Sequence, residues 1–265
     1  MPTNWNDDLE NRFNRTRPRE ISTPKMTNER FLILGRRGDG AILRLQEVFF
    51  PLGSVEVIVD EPGDGGIWYS DEEVAGFGGL MGDSSPLPPL TAWSRALYHL
   101  SKTLAENESV WLVEDDVAGN QSYFRALVTE TAASDPDLAA FEIRSKEEDQ
   151  SWYHWKDGDF GFEQPWRAFA PLCRMSRHLI QAILEYRRKN HKFVFHEVLF
   201  ASLVIQHGMR WLDWDRETGF QRLLGAYRYR PVVDTVQQGI NHPVKDAVIH
   251  AEICALGAAP SPLNS

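Results

Sequence analysis

Three consecutive carboxylates, Glu114-Asp115-Asp116, close an apolar run that starts at Ser109 and carries Val110, Trp111, Leu112 and Val113. Acids packed side by side raise one another's pKa unless positive charge joins them. The natural partner is a hard divalent cation, which takes oxygen ligands and often completes its shell with phosphate oxygens. The same acids have a structural use, because Asp115 or Asp116 could N-cap a helix beginning near Gln121. Two later groups could join the chemistry. Glu197 opens an apolar helical stretch, where a carboxylate either favours the helix dipole or serves as a general base at a pocket rim. His242 lies in Asn241-His242-Pro243-Val244-Lys245 and offers a nitrogen ligand, while Lys245 could meet a phosphate. A lone His of this kind is equally at home as a hydrogen-bonded loop residue.

The elements that must hold these groups follow from periodicity. Phe31 to Gly35 reads as a buried first strand, and Arg36-Arg37-Gly38-Asp39-Gly40 follows it where a ligand loop belongs. Arg36 and Arg37 could clamp a diphosphate or simply line a solvated turn. Ala41 to Phe50 has helical apolar spacing, and Val55 to Val59 is a second strand closing on Asp60. A strand, a helix, a strand and an acid open a nucleotide-binding α/β unit, in which such an acid often meets a ribose or base. The glycine fingerprint of dinucleotide folds is missing after the first strand. A short strand is expected over 67–70, a helix opening at Asp71, and a helix from Thr91 to about Glu106. The run 109–117 reads as a strand buried on both faces, as in a mostly parallel sheet. A helix over 120–132, strands near 138–143, 169–176 and 211–214, and helices over 176–189 and from 195 complete the pattern. Trp152, Tyr153, His154, Trp155, Phe160, Phe162 and Trp166 crowd one segment, which suits a sugar-stacking platform or an aromatic subcore.

The chain has 265 residues, nine Trp and a formal charge of −10. That length can bury a full core. The acidity argues against a broad nucleic-acid footprint, though not against a local basic pocket for phosphates. Cys173 and Cys254 are too few for a disulfide framework and read as buried thiols, which suits a reducing cytoplasm. No stretch approaches the roughly 18 apolar residues that cross a bilayer. The N-terminal segment lacks the apolar core of a secretory signal. The expectation is a cytoplasmic protein with no integral membrane segment, able to work at a membrane surface.

Taken in order over 31–246, these stretches resemble glycosyltransferases of the GT-A fold. The matching pieces are the loop at Arg36–Gly40, the carboxylate motif Glu114-Asp115-Asp116, the acid of His196-Glu197 and the late His242. The resemblance implies an α/β fold with a Rossmann-like, mostly parallel central sheet flanked by helices. Residues 1–28, polar and without periodicity, read as a flexible arm or a peripheral wrap, and 251–265 as a tail. Between them lies one domain over 29–250, with a nucleotide-sugar half to about 145 and an acceptor half beyond. The resemblance implies Mn²⁺ or Mg²⁺ held by Asp116 and His242. Arg36, Arg37, Asp60, Glu114, Asp115 and Lys245 would bind a nucleotide-sugar donor, with Glu114 toward the ribose. A glycan or glycolipid acceptor would lie against Trp155 and Trp166, with Glu197 as base of an inverting transfer. The chain departs from the family pattern in two places. Glu114 stands where Asp is usual, and Val198 follows Glu197 where a second acid is usual. Two other readings stand beside this one: a sugar nucleotidyltransferase, for which the first loop is a poor match, and a carbohydrate-binding protein that lost catalysis.

Overall fold

The computed structural model describes residues 29–36, 40–63, 65–77, 91–157, 160–190 and 194–257. A six-stranded sheet runs in the order β2-β1-β3-β5-β4-β6. Its strands are β1 (Glu29–Gly35), β2 (Ser54–Val59), β3 (Ser109–Glu114), β4 (Leu138–Ser145), β5 (Trp166–Ser176) and β6 (Trp211–Asp213). The pairs β1–β2, β1–β3 and β4–β6 are parallel, and β5 is antiparallel to both its neighbours. Five strands therefore point one way and β5 alone points back. The expectation of a mostly parallel sheet flanked by helices is met.

The helices are α1 (Gly40–Phe49), α2 (Asp71–Phe77), α3 (Ala92–Thr103), α4 (Gln121–Ser134), α5 (Arg177–Asn190), α6 (His196–Gln206), α7 (Thr218–Gln221) and α8 (Ala247–Ala255). Strands β7 (Leu224–Tyr227) and β8 (Ile240–His242) form a second, two-stranded sheet. Ile67 makes only an isolated bridge to Ile58, so the short strand expected over 67–70 does not form. Helix α8 runs across the boundary expected at residue 250 and buries His250 and Ile253.

The pleat decides what the strands show to each layer. Successive side chains of a strand point to opposite faces. Leu32 and Leu34 of β1 and Val110 and Leu112 of β3 join α3, α5 and α6 in one core. Phe31 and Ile33 of β1 and Trp111 and Val113 of β3 join α1 and α4 in the other. Sheet residues buried on both faces explain the unbroken apolar runs. The alternation continues past the core. Glu114 falls on the α3 and α6 face, and Asp115 falls on the α1 face, over Gly35 and Ile42. A Cβ at Gly35 would come within 2.8 Å of Asp115 Oδ2 and 2.5 Å of Ile42 Cδ1, so the loop entry needs the glycine.

Neither Asp115 nor Asp116 caps α4. That task falls to Asn120, whose side chain accepts the N–H groups of Ser122 and Tyr123 at 2.9 and 3.1 Å. The capping alternative is thereby removed and the acids are left for other work.

Candidate active site

The carboxyl ends of β1, β2 and β3 lie along one edge of the sheet, where open α/β folds bind ligands. The start of α6 joins them through Glu197, whose Oε1 accepts the Ala170 N–H of β5 at 3.2 Å. The late segment is zipped onto this edge by backbone bonds. Ala118 and Asn241 exchange N–H···O bonds at 2.9 and 2.7 Å, and the Val244 N–H donates to Asp116 O at 2.8 Å. Helix α8 adds a brace, with His250 Nε2 3.0 Å from Val117 O. These bonds carry His242 and Lys245 to the acidic motif.

Glu114, Asp116 and His242 each offer one ligand atom, and the three atoms lie within 4.8 Å of one another. Two carboxylates and an imidazole suit a divalent cation such as Mn²⁺. His242 Nδ1 lies 2.9 Å from the Arg228 carbonyl, which can only accept. That bond fixes the proton on Nδ1 and turns Nε2 to the acids, as a second partner does for metal-ligating histidines. His242 Nε2 is 3.2 Å from Asp116 Oδ1 and 3.7 Å from Glu114 Oε2. The approach to Oδ1 is close but out of line for a hydrogen bond, and this buried oxygen has no hydrogen-bond partner. A buried carboxylate oxygen that takes no hydrogen bond and has an imidazole nitrogen as its charge partner fits a cation.

Charge has already shifted the groups. Burial lowers the basicity of an imidazole, yet the adjacent carboxylates of Asp116 and Glu114 prevail and push His242 up to about 9. Burial alone would raise Asp116, but His242 and the paired Lys245 hold it below the usual carboxylate range. Lys245 is in turn raised, burial being outweighed by Asp116. A cation binding here displaces protons rather than filling a neutral hole.

Around this centre the remaining expected residues take distinct places. Asp115 Oδ2 lies 3.4 Å from the Arg36 N–H, on the first-loop side. The Arg36 guanidinium is exposed and donates to Glu61 at 2.7 Å. Arg37 lies outside the described residues. Asp60 sits at the end of β2 with Arg95 at 4.0 Å, its Oδ1 buried without a hydrogen-bond partner, and burial raises its pKa. Glu114 does more than face a donor: its carboxylate stands in the same trio as Asp116 and His242.

Glu197 is 4% exposed, and the Tyr229 hydroxyl donates to its Oε2 at 2.9 Å. Burial pushes its pKa up to about 8 against those two bonds, with Glu114 adding to the rise. The aromatic segment is mostly an inner cluster. Trp155 is 8% exposed, packs edge-on to Trp152 and donates its indole N–H to Asp149 O at 2.6 Å. It belongs to the packed aromatic cluster, the second of the two uses expected of this segment. Trp166 is half-buried at the start of β5 and faces Trp211 at 6.2 Å.

Three residues of this edge carried no signal in the sequence reading. The Trp93 indole N–H donates to Glu114 Oε1 at 2.8 Å. Tyr229 reaches Glu197, and Arg228 supplies the carbonyl that orients His242. Trp93 reads as one more apolar position of a helix, and a backbone carbonyl has no residue type to read.

No protein-family model matches the chain, and no curated protein matches it. Among solved structures it is similar to the galactosyltransferase LgtC in complex with donor and acceptor sugar analogs. That match has 13% identity over 70% of this chain and 72% of that one, with a TM-score of 0.41. It is also similar to an active-site mutant of LgtC, at 11% identity over 87% and 85%, with a TM-score of 0.43. Overlap this loose leaves the chemistry to be read from the side chains.

Proposed function

We propose that this protein is a metal-dependent glycosyltransferase that moves a sugar from a nucleotide-sugar donor to a hydroxyl acceptor. The observation that carries the reading is the convergence of Glu114, Asp116 and His242 at the carboxyl edge of the sheet, with a buried oxygen on Asp116 that takes no hydrogen bond. The order of motifs along the chain, which resembles GT-A enzymes, supports it.

Glu114, Asp116 and His242 would hold Mn²⁺ or Mg²⁺. When bound, such a cation stabilises charge on a diphosphate leaving group as a Lewis acid. Lys245, paired with Asp116, would add positive charge to the same group, and Arg36 on the first loop is a further candidate for it. Asp60, after the end of β2, is the candidate partner for the ribose or base. Glu197 is the base candidate for an inverting transfer. A carboxyl with a pKa near the working pH suits proton abstraction. Tyr229 now holds the Oε2 position, so an acceptor hydroxyl reaches Glu197 by displacing the Tyr229 hydroxyl.

A thermal-shift panel tests the reading. UDP, GDP, CMP and dTDP are each added with and without Mn²⁺, to wild type and to Asp116→Ala. A ligand at a hundred times its dissociation constant stabilises the native state by about 2.7 kcal/mol. The expected result is a Mn²⁺-dependent shift with at least one nucleotide, absent in the variant. A wild type that shifts with no combination would overturn the proposal and favour the carbohydrate-binding alternative. Pyrophosphate release from a nucleoside triphosphate and a sugar phosphate would favour the nucleotidyltransferase instead.

A further inference from the structure

Trp93 sits at the start of α3, 5% exposed, and makes two polar or stacking contacts that matter for the site. Its indole N–H donates to Glu114 Oε1 at 2.8 Å. Its ring stacks on His196, with centroids 4.1 Å apart and planes at 16°. His196 is the first residue of α6 and precedes Glu197. Phe200, one turn further along α6, closes on the same indole at 5.9 Å.

A buried indole N–H needs an acceptor, and here the acceptor is a carboxylate of the candidate metal trio. The consequence lies in which oxygen is left over. With Oε1 taken by Trp93, Glu114 turns Oε2 toward His242, 3.7 Å away. Oε2 is therefore the oxygen that would meet a cation, with Oε1 held by the indole. Partners behind a metal ligand set its orientation, and losing one typically costs about tenfold to a hundredfold in metal affinity or activity. The same ring rests on the α6 start that carries Glu197. One side chain therefore ties the metal side of the cleft to the base side.

Resting on the metal-dependent reading above, we propose that Trp93 is a positioning residue: it fixes Glu114 as a one-oxygen ligand and keys that ligand to the N-terminus of α6. The substitution Trp93→Phe keeps a stacking ring and removes only the N–H. Freed of that bond, Glu114 can offer both oxygens, which favours the larger Ca²⁺ over Mn²⁺, since calcium accepts two-oxygen carboxylates in flexible shells.

The test is Mn²⁺ binding, read from the free-ion electron paramagnetic resonance signal, in a double-mutant cycle. Wild type, Trp93→Phe, Glu114→Ala and the double variant are compared, with Ca²⁺ competition on the first two. The proposal expects Trp93→Phe to weaken Mn²⁺ binding about tenfold to a hundredfold, to narrow the preference over Ca²⁺, and to have no effect in the Glu114→Ala background. Unchanged affinity in Trp93→Phe, or the same loss with and without Glu114, would overturn it. A wild type that binds no Mn²⁺ would overturn the metal reading itself and this inference with it, so the two failures are told apart. Should Trp93→Phe not fold, wild type answers alone. The ¹⁵N–¹H signal of the Trp93 indole moves during a Mg²⁺ titration if the proposal holds, and its standing still while Mg²⁺ binds contradicts it.

Discussion

Two clusters of buried charge lie on this sheet, and they are built differently. Toward the amino ends of the strands, Arg30 is 4% exposed and fully engaged. It donates to Glu56 at 2.6 Å, to Glu108 at 3.2 Å and to Thr103 Oγ1 at 2.9 Å, with His99 beside it. At the carboxyl edge, Glu114, Asp116 and His242 converge, and an acid oxygen stays without a hydrogen-bond partner. The histidines report the contrast. Burial, with the adjacent Arg30 contributing, lowers His99 despite Glu56. His242, set between two acids, is pushed up to about 9 although burial opposes it. One cluster satisfies itself and braces β1, β2 and α3. The other gathers two acids about His242 with Lys245 paired to Asp116, and it can trade a proton for a cation.

Substitutions in the two clusters should therefore break different things. The largest effect falls at the carboxyl edge. A Lewis-acid cation is worth several kcal/mol in the transition state. Asp116→Ala should thus cut sugar transfer by roughly 10³-fold or more, while unfolding stays cooperative. Turnover near the wild-type rate would contradict the metal assignment.

Next in size is Glu197, which joins stability to pH. Its folded pKa of about 8 lies above the ordinary 4.5. The folded state therefore binds the proton more tightly than the unfolded one. The stability this contributes is fully present below about pH 4.5 and is lost as pH rises through about 8. Burial of this side chain makes the difference on the order of 4 kcal/mol. Glu197→Gln cannot ionise and should lose that part of the decline. Urea unfolding at pH 5 and pH 8 measures it, and parallel pH dependence in both proteins would remove Glu197 from the account. If Glu197 is the base, transfer rises over the same interval in which stability falls.

Arg30→Ala comes third and belongs to the other cluster. It removes the cation that Glu56 and Glu108 share while leaving Glu56 its His99 contact, and a loss of about 2 kcal/mol is expected, below the full buried-pair cost because Glu56 is 30% exposed. Mn²⁺ affinity should not change. A variant of undiminished stability but weakened metal binding would erase the distinction between the clusters. The smallest effect is at Lys245, whose side chain is 62% exposed. Lys245→Ala should raise the apparent KM for the donor about tenfold, the size of one charge-assisted phosphate contact.

Much of this was legible in the residues. An apolar run ending in acids marks a strand that delivers charge to a sheet edge, and β3 does so. The split between Glu114 and Asp115 follows from the same pleat that separates Leu112 from Val113. The capping alternative failed because Asn120, one residue before α4, is the better-placed acceptor. The company of His242 was less legible. It lies far along the chain from Asp116, and backbone pairing of Ala118 with Asn241 and of Val244 with Asp116 closes the distance. Trp155 was ambiguous in the sequence because aromatic composition is the same for a platform and for a packed cluster; exposure separates them, and exposure is set by tertiary packing. Arg30, Glu56 and His99 looked like ordinary strand and helix residues, since a self-satisfied network leaves no pattern in one sequence. Trp93 was hidden for the related reason that its apolar ring and its single N–H serve different neighbours.

The most direct measurement is a crystal of this protein grown with Mn²⁺ and a nucleoside diphosphate, with diffraction collected at the manganese edge. The account predicts one anomalous peak bonded to Asp116, Glu114 and His242 Nε2, with the diphosphate on its open side toward Lys245. A nucleotide bound at this edge with no manganese between those three side chains, or a manganese seated elsewhere, would contradict it.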